Sequence, residues 1–351
     1  MSLREEIGEQ PAVLAHLLRT QEETVREVAR AVRGRAVHWV LIAARGSSDH
    51  AALYAQYLWG SRNGLPVAMA TPSLYTLYES PPRLQGALVV GISQSGQSPD
   101  IVRVLAEGRK QGALTLAITN DPRSALAAEA CLVLDTGAGP ELAIAATKTY
   151  SSQLLAVAML SAALTGDEGQ VAAALGSEPL RQIPALVESA LADEAAIAQA
   201  ARHYEAMARC VVLGRGYHYA TASEWALKLE ELTYVVAEAY STADFRHGPV
   251  AMASSGFPVL AVVPGGAAYA DVMALLAALV AERDVDLLVA SDRDEALALG
   301  STAVRLPGGL PEWLAPIVNI VPLQLWTYHL ALAMGRDTEA PRGLSKVTRT
   351  W

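Results

Sequence analysis

The chain has 351 residues, a length that suits about two domains at ~150 residues each. It is 52% hydrophobic and 18% charged, and its 26 Gly and 18 Pro fall in no low-complexity run, which excludes disordered and fibrous classes. Its 27 Lys+Arg against 36 Asp+Glu give a net charge of −9, which argues against nucleic-acid binding and against an anionic membrane surface. The opening residues, MSLREEIGEQ, are charged where a signal peptide is apolar. The longest apolar stretches, such as 272–281, fall short of the ~18 residues that span a bilayer. Cys131 and Cys210 lie in apolar runs with no Cys or His at ligand spacing, so both are expected to be reduced core residues of a cytoplasmic protein.

In chain order, residues 12–33 read as helical, with Val13, Leu14, Leu17, Leu18, Val25, Val28 and Ala29 recurring at helical spacing. A short apolar run over 38–43 ends in Arg45-Gly46-Ser47-Ser48 and leads into a helical pattern. A second run, 87–92, ends in a Ser/Gly loop before a helix that starts after Pro99. A third, 114–118, ends at Asn120-Asp121-Pro122, and a fourth is 131–134. Short β-rich runs alternating with helices predict a parallel sheet covered on both faces.

The series then repeats. Residues 40–46 resemble 210–216, and 87–92 match 257–262, both at an offset of 170; 114–120 answer 285–291, one residue further on. A repeat this long is a duplicated domain. A helical stretch over about 150–208 joins the halves, with breaks expected at 165–169 and Pro184. The copies differ at one loop: Ser93-Gln94-Ser95-Gly96-Gln97-Ser98 in the first, Val263-Pro264-Gly265-Gly266-Ala267-Ala268 in the second. Hydroxyls survive only in the first, so only that copy is expected to bind the ligand.

The loop 93–98 follows a strand and opens a helix, with Ser98 suited to the N-cap and Pro99 to the first turn. Free backbone N–H groups, the positive helix end and Ser hydroxyls make a phosphate cradle that needs no Lys or Arg. Asp100 is expected at the surface, complementing the helix dipole. Ser47 and Ser48 stand at a second strand-to-helix turn. Lys148 follows a cap candidate, Thr147; Lys228 and Glu231 share a helix face, an arrangement that on its own reads as a solvated ion pair. His247 precedes a Gly-Pro turn, and the tail 340–351 is polar. The seven His form no ligand-spaced cluster with Cys or carboxylates, so no metal is expected.

Taken together, the Ser-Gln-Ser-Gly loop, Ala226-Leu-Lys-Leu-x-Glu231, Ala237-Glu-Ala-Tyr240, His247-Gly-Pro249 and Pro341-Arg-x-Leu-x-Lys346 resemble the sugar isomerase (SIS) domain superfamily. Within it, the chain is most similar to the isomerase half of the glucosamine-6-phosphate synthase family. The resemblance implies an α/β protein of two tandem SIS domains, each a doubly wound parallel sheet flanked by helices. The chain then divides into an N-terminal helical segment (1–35), a first SIS domain with the sugar-phosphate loops (36–165), a helical connection (166–208), a second SIS domain (209–335) and a C-terminal active-site tail (336–351).

On the matching positions, the resemblance implies that Ser93, Gln94, Ser95 and Ser98 hold the sugar phosphate, with Ser47, Ser48 and Ala145 beside them. It makes Glu231 the group that moves a proton between C1 and C2, a task a carboxylate suits because it can take and return the proton. His247, contributed across a homodimer, assists ring opening; Lys346 forms an imine with the open-chain ketose, for which it must be partly neutral; Lys228 positions Glu231. No cofactor is implied. The family's Ser is Ala146 here, and its Gly-Glu before the His loop reads Ala243-Asp244. The chain shows no glutaminase domain with an N-terminal Cys, so the expected reaction is release of ammonia from glucosamine 6-phosphate, giving fructose 6-phosphate. Rivals are a deglycase of 6-phosphorylated fructosamines, a plain aldose–ketose isomerase and, from another class, a non-catalytic sugar-phosphate regulator.

Overall fold

The computed structural model describes residues 2–346, so the last five residues of the expected tail, 347–351, lie outside it. The chain forms two compact units. The N-terminal unit comprises Ala12–Glu141, Lys148–Gln182 and residues 345–346; the C-terminal unit comprises residues 2–11, Leu142–Thr147 and Ile183–Leu344.

The N-terminal unit carries a five-stranded, wholly parallel sheet in the order β2-β1-β3-β4-β5: β1 is Trp39–Ala43, β2 Val67–Met69, β3 Ala87–Ser93, β4 Leu114–Thr119 and β5 Leu132–Asp135. Side chains alternate across a strand. One face therefore presents Leu41, Ala43, Ala87, Val89 and Ala117 to a core completed by Ile101, Val104 and Leu105 of the helix Pro99–Lys110. Val40, Ile42, Leu88, Val90, Leu116 and Ile118, which alternate with them, are buried as well. Both faces are covered, which is why these strands read as unbroken apolar runs.

The C-terminal unit repeats the design. β6 (Arg209–Gly214), β7 (Val236–Ser241), β8 (Pro258–Val262), β9 (Asp286–Ser291) and β10 (Thr302–Arg305) form a second parallel sheet in the order β10-β9-β8-β6-β7. Read from β7, this is the order of the first sheet. Val211, Leu213, Val259, Ala261, Leu287 and Val289 meet Val272, Leu275, Leu276 and Leu279 of the helix Tyr269–Arg283. The helix Ala315–Ala333 is buried along most of its length and serves as this unit's core helix. Among the described residues no helix is long and apolar enough to cross a membrane.

The duplication reaches the backbone angles. Gly46 and Gly216, 170 apart, each precede a 17-residue helix, Ser47–Asn63 and Tyr217–Thr233, with φ/ψ of 56/−134° and 58/−130°. That conformation is closed to residues with a Cβ, so each Arg-Gly turn needs its glycine.

The pattern over 12–33 is helical, as two helices, Gln10–Thr20 and Glu22–Gly34. The break expected at Pro184 falls two residues earlier, at Gln182 between Glu178–Arg181 and Ile183–Ala192; Pro184 is the second residue of the latter helix, where its missing N–H costs nothing. Two expectations are corrected. Cys131 is exposed, because it precedes the edge strand β5, while Cys210 is buried as expected. Asp100 is 1% exposed rather than at the surface, because Arg45 reaches it with Nε and a terminal guanidinium nitrogen, both at 2.9 Å from Oδ2.

Candidate active site residues

The loop after β3 is an oxygen-rich turn. Gly96 takes φ +60°, and a Cβ there would lie 2.1 Å from Ser124 Oγ, so the turn closes only around glycine. Ser93 Oγ accepts from the Gly96 N–H at 3.1 Å and Ser95 Oγ from the Gln97 N–H at 3.3 Å. Ser98 occupies the N-cap of Pro99–Lys110, as expected, but its side chain makes no cap bond. Ser93 is buried and Gln94, Ser95 and Ser98 are half-buried. The Gln94 carbonyl accepts from the Asn120 N–H at 3.1 Å, fixing the loop to the end of β4.

Ser47 is half-buried in the first turn of its helix; Ser48 is buried, and its Oγ accepts from Gln153 Nε2 of the helix Lys148–Leu164 at 3.0 Å. Beside them burial pushes the Asp49 carboxyl above its ordinary range, against the pull of His50 and Arg45. Lys148 is buried and donates to the Pro140 carbonyl at 2.6 Å, a packing contact. The same unit holds Lys346, whose Nζ donates to Glu141 Oε2 at 2.7 Å. Glu141 also accepts from the Thr149 N–H at 3.1 Å and from Thr149 Oγ1 at 2.7 Å.

In the C-terminal unit, Lys228 is not solvated. It is 1% exposed and lies between two carboxylates of its own helix, with Nζ bonded to Glu231 and 3.5 Å from Glu224 Oε1. Glu224 is fully buried, whereas the Glu231 side chain keeps 22% of its surface. The lysine thus neutralises an interior carboxylate and holds a second, accessible one. His247 is exposed at the C-terminal end of the short helix Thr242–Arg246, and Ala145 is completely buried, so a ligand could meet only its backbone.

Within each unit the structure therefore brings together Ser93, Gln94, Ser95 and Ser98 on one loop, Ser48 with Gln153, and Lys228 with Glu231. Two carboxylates escaped the sequence reading. Glu224 stands four residues before Lys228, a spacing that places both on one helix face and could have revealed it. Glu141 gives no such sign, since its partner is 205 positions away. Among the described residues no group of His, Cys, Asp and Glu is arranged to hold a metal.

Known proteins resemble the chain in sequence and in fold. The SIS domain model matches residues 36–163 and 204–334. Glutamine–fructose-6-phosphate aminotransferase (isomerizing) of Thermus thermophilus is 35% identical over 349 residues, covering 97% of this chain and 57% of that protein. The chain thus spans a little over half the length of the curated relatives it matches. The C-terminal domain of glucosamine-fructose-6-phosphate aminotransferase from Francisella tularensis superposes with a TM-score of 0.84 at 29% identity, covering 97% of this chain and 98% of that one. A glucosamine-6-phosphate deaminase from Thermotoga maritima shares the fold, with a TM-score of 0.72 at 22% identity and full coverage of both chains. With two matched segments that account for most of its length and duplicated sheets of one topology, the chain belongs to the SIS domain family.

Proposed function

We propose that the chain catalyses C1/C2 proton transfer on a 2-amino-hexose 6-phosphate, with glucosamine 6-phosphate and water giving fructose 6-phosphate and ammonia. The observation that carries this reading is the Glu224–Lys228–Glu231 arrangement: a buried lysine, shared with the interior Glu224, holds the accessible Glu231 carboxylate in place. Glu231 takes the proton from C2 of the open-chain aldehyde and returns it to C1, while a second proton passes from the amino nitrogen to O1, leaving a hydroxyl at C1 and an imine at C2. Lys346 Nζ displaces ammonia from that carbon, and water then releases the ketone and the lysine. Glu141, at 2.7 Å, is within reach to receive the proton that Lys346 must lose before it attacks.

Ser93, Gln94, Ser95 and Ser98 hold the phosphate, supported by Ser47, Ser48 and the backbone at Ala145. His247, exposed in a single chain, exchanges protons with the ring oxygen in the site of a second copy. Ala146 supports a second reading: a methyl where the family has a hydroxyl suits a substrate with a substituent on nitrogen, such as a 6-phosphorylated fructosamine. Released ammonia or amine from both substrate types, together with fructose 6-phosphate, decides between them. Glu231→Gln is expected to lower turnover by about 10²–10⁴-fold. Absence of turnover on every hexosamine and fructosamine 6-phosphate, with sugar phosphate still bound, would identify a regulator instead.

A further inference from the structure

The loop 263–268 of the C-terminal unit stands where 93–98 stands in the N-terminal unit, between the third strand of its sheet and the following helix. It has lost its hydroxyls, and two arginines stand beside it. Arg293 lies over it so closely that a Cβ on Gly265 would come within 2.4–2.9 Å of the guanidinium, and Arg215 lines the adjoining cavity. Two backbone N–H groups point outward from the loop, and both are taken by carboxylates of the same unit. Gly265 N donates to Asp292 Oδ1 at 2.7 Å, and Ala267 N donates to Glu312 Oε2 at 3.0 Å. The Glu312 carboxyl also fills the space over Gly266, where a Cβ would lie 2.4–2.8 Å from it. The cavity left beside it, about 10 Å³ between Arg215, His218, Tyr269 and Glu312, holds no more than a single water.

The repeat explains where these carboxylates come from. Pro311-Glu312 repeats Pro140-Glu141, and Asp292 repeats Asp121, at an offset of 171. In the N-terminal unit the same positions turn elsewhere: Glu141 to Thr149 and Lys346, and Asp121 to the N–H of Arg123 at 3.0 Å.

We propose that loop 263–268 is a phosphate cradle filled from within, in which the Glu312 and Asp292 carboxylates stand in for phosphate oxygens, so that each chain accepts one phosphate group instead of two. Two guanidinium groups and two N–H groups are the donor set a phosphate recognises, and here internal carboxylates already take the two N–H groups. Glu312 is half-buried and Gly266 and Ala267 are exposed, so removal of the carboxylate opens the cradle to solvent without unpacking the core.

The test is titration of the full chain with inorganic phosphate, counting ions bound per chain by calorimetry, for the wild type, E312A and E312Q. The expected result is one additional phosphate per chain in E312A, with E312Q as the folded alternative in which the shape is kept and the charge removed. Arg293→Ala in the E312A background should remove the added site. Turnover in the reaction proposed above should stay within about twofold in the single variants, because Glu312 takes no part in it. The reading of 93–98 as a phosphate loop is scored separately, by whether the wild type binds one ion or none. An equal count in the wild type and both folded variants overturns the proposal, as does an added site that survives loss of Arg293.

Discussion

Lys346 Nζ lies 2.7 Å from Glu141 Oε2, a carboxylate whose side chain has no exposed surface. The pair links a residue near the chain's end to the connection that follows β5, and it gives Glu141 a cation while Thr149 supplies two further donors. Replacing Lys346 with Met takes that cation away and leaves the Thr149 donors in place. Leaving a buried acceptor short of a partner costs about 1–3 kcal/mol. We expect K346M to fall at the lower end of that range in urea unfolding, and to abolish trapping of substrate by borohydride, which reduces an imine to a stable bond. E141Q should slow trapping while leaving sugar-phosphate affinity within about threefold.

The Lys228 cluster predicts a stability effect larger than most. Lys228 and Glu224 are 1% and 0% exposed, and K228M would take this cation from the interior Glu224 carboxylate. Breaking a buried pair from one side typically costs about 3–5 kcal/mol, whereas removing both charges is often neutral. The double variant E224Q/K228M is therefore expected to recover most of the stability lost by K228M. Its turnover should remain low, because Glu231 loses the lysine that holds it. Equal stability of K228M and wild type in chemical denaturation would contradict the assignment.

The inner strands were legible in the sequence because burial on both faces writes them as apolar runs, as in Val40–Ala43 and Val259–Val262. Three edge strands, β2, β7 and β10, were not: β2 has three residues, none of them fully buried, and β7 and β10 mix exposed with buried positions. The same distinction holds at the candidate site. Local chemistry, such as hydroxyls in a strand-to-helix turn or Lys and Glu at helical spacing, can be read along the chain. Glu141 and the burial of Asp100 cannot, because each depends on a partner, Lys346 or Arg45, that only folding brings near.

Two nearby N-caps separate a binding hydroxyl from a structural one. Ser124 caps Ala125–Glu129 by accepting from the Ala127 N–H at 3.3 Å, while the Ser98 side chain makes no cap bond to its own helix. S124A is expected to cost about 1 kcal/mol, the usual loss for a removed cap. S98A should change stability by only a few tenths of that and instead raise KM for the sugar phosphate about tenfold, with kcat little altered. Thermal unfolding and steady-state kinetics on the two variants read the difference directly. A stability loss in S98A equal to that in S124A would return Ser98 to a structural role.

His218 gives the fold a defined pH dependence. It is 2% exposed, its Nε2 lies 3.1 Å from Asn319 Nδ2, and burial pushes its pKa down to about 3. The amide donates, so the imidazole is held neutral as an acceptor. In the unfolded chain an ordinary histidine takes up a proton near pH 6.5. Between those two values the unfolded state binds one proton more than the folded state, so stability rises with pH across this window and is complete above it. The slope due to this residue is about 1.4 kcal/mol per pH unit. We expect H218Q, which keeps an acceptor for Asn319 but does not titrate, to flatten the dependence of unfolding free energy on pH between 6 and 4 by about that amount. Urea titrations of the two proteins at several pH values measure it, and parallel curves would show that His218 is protonated in the folded chain.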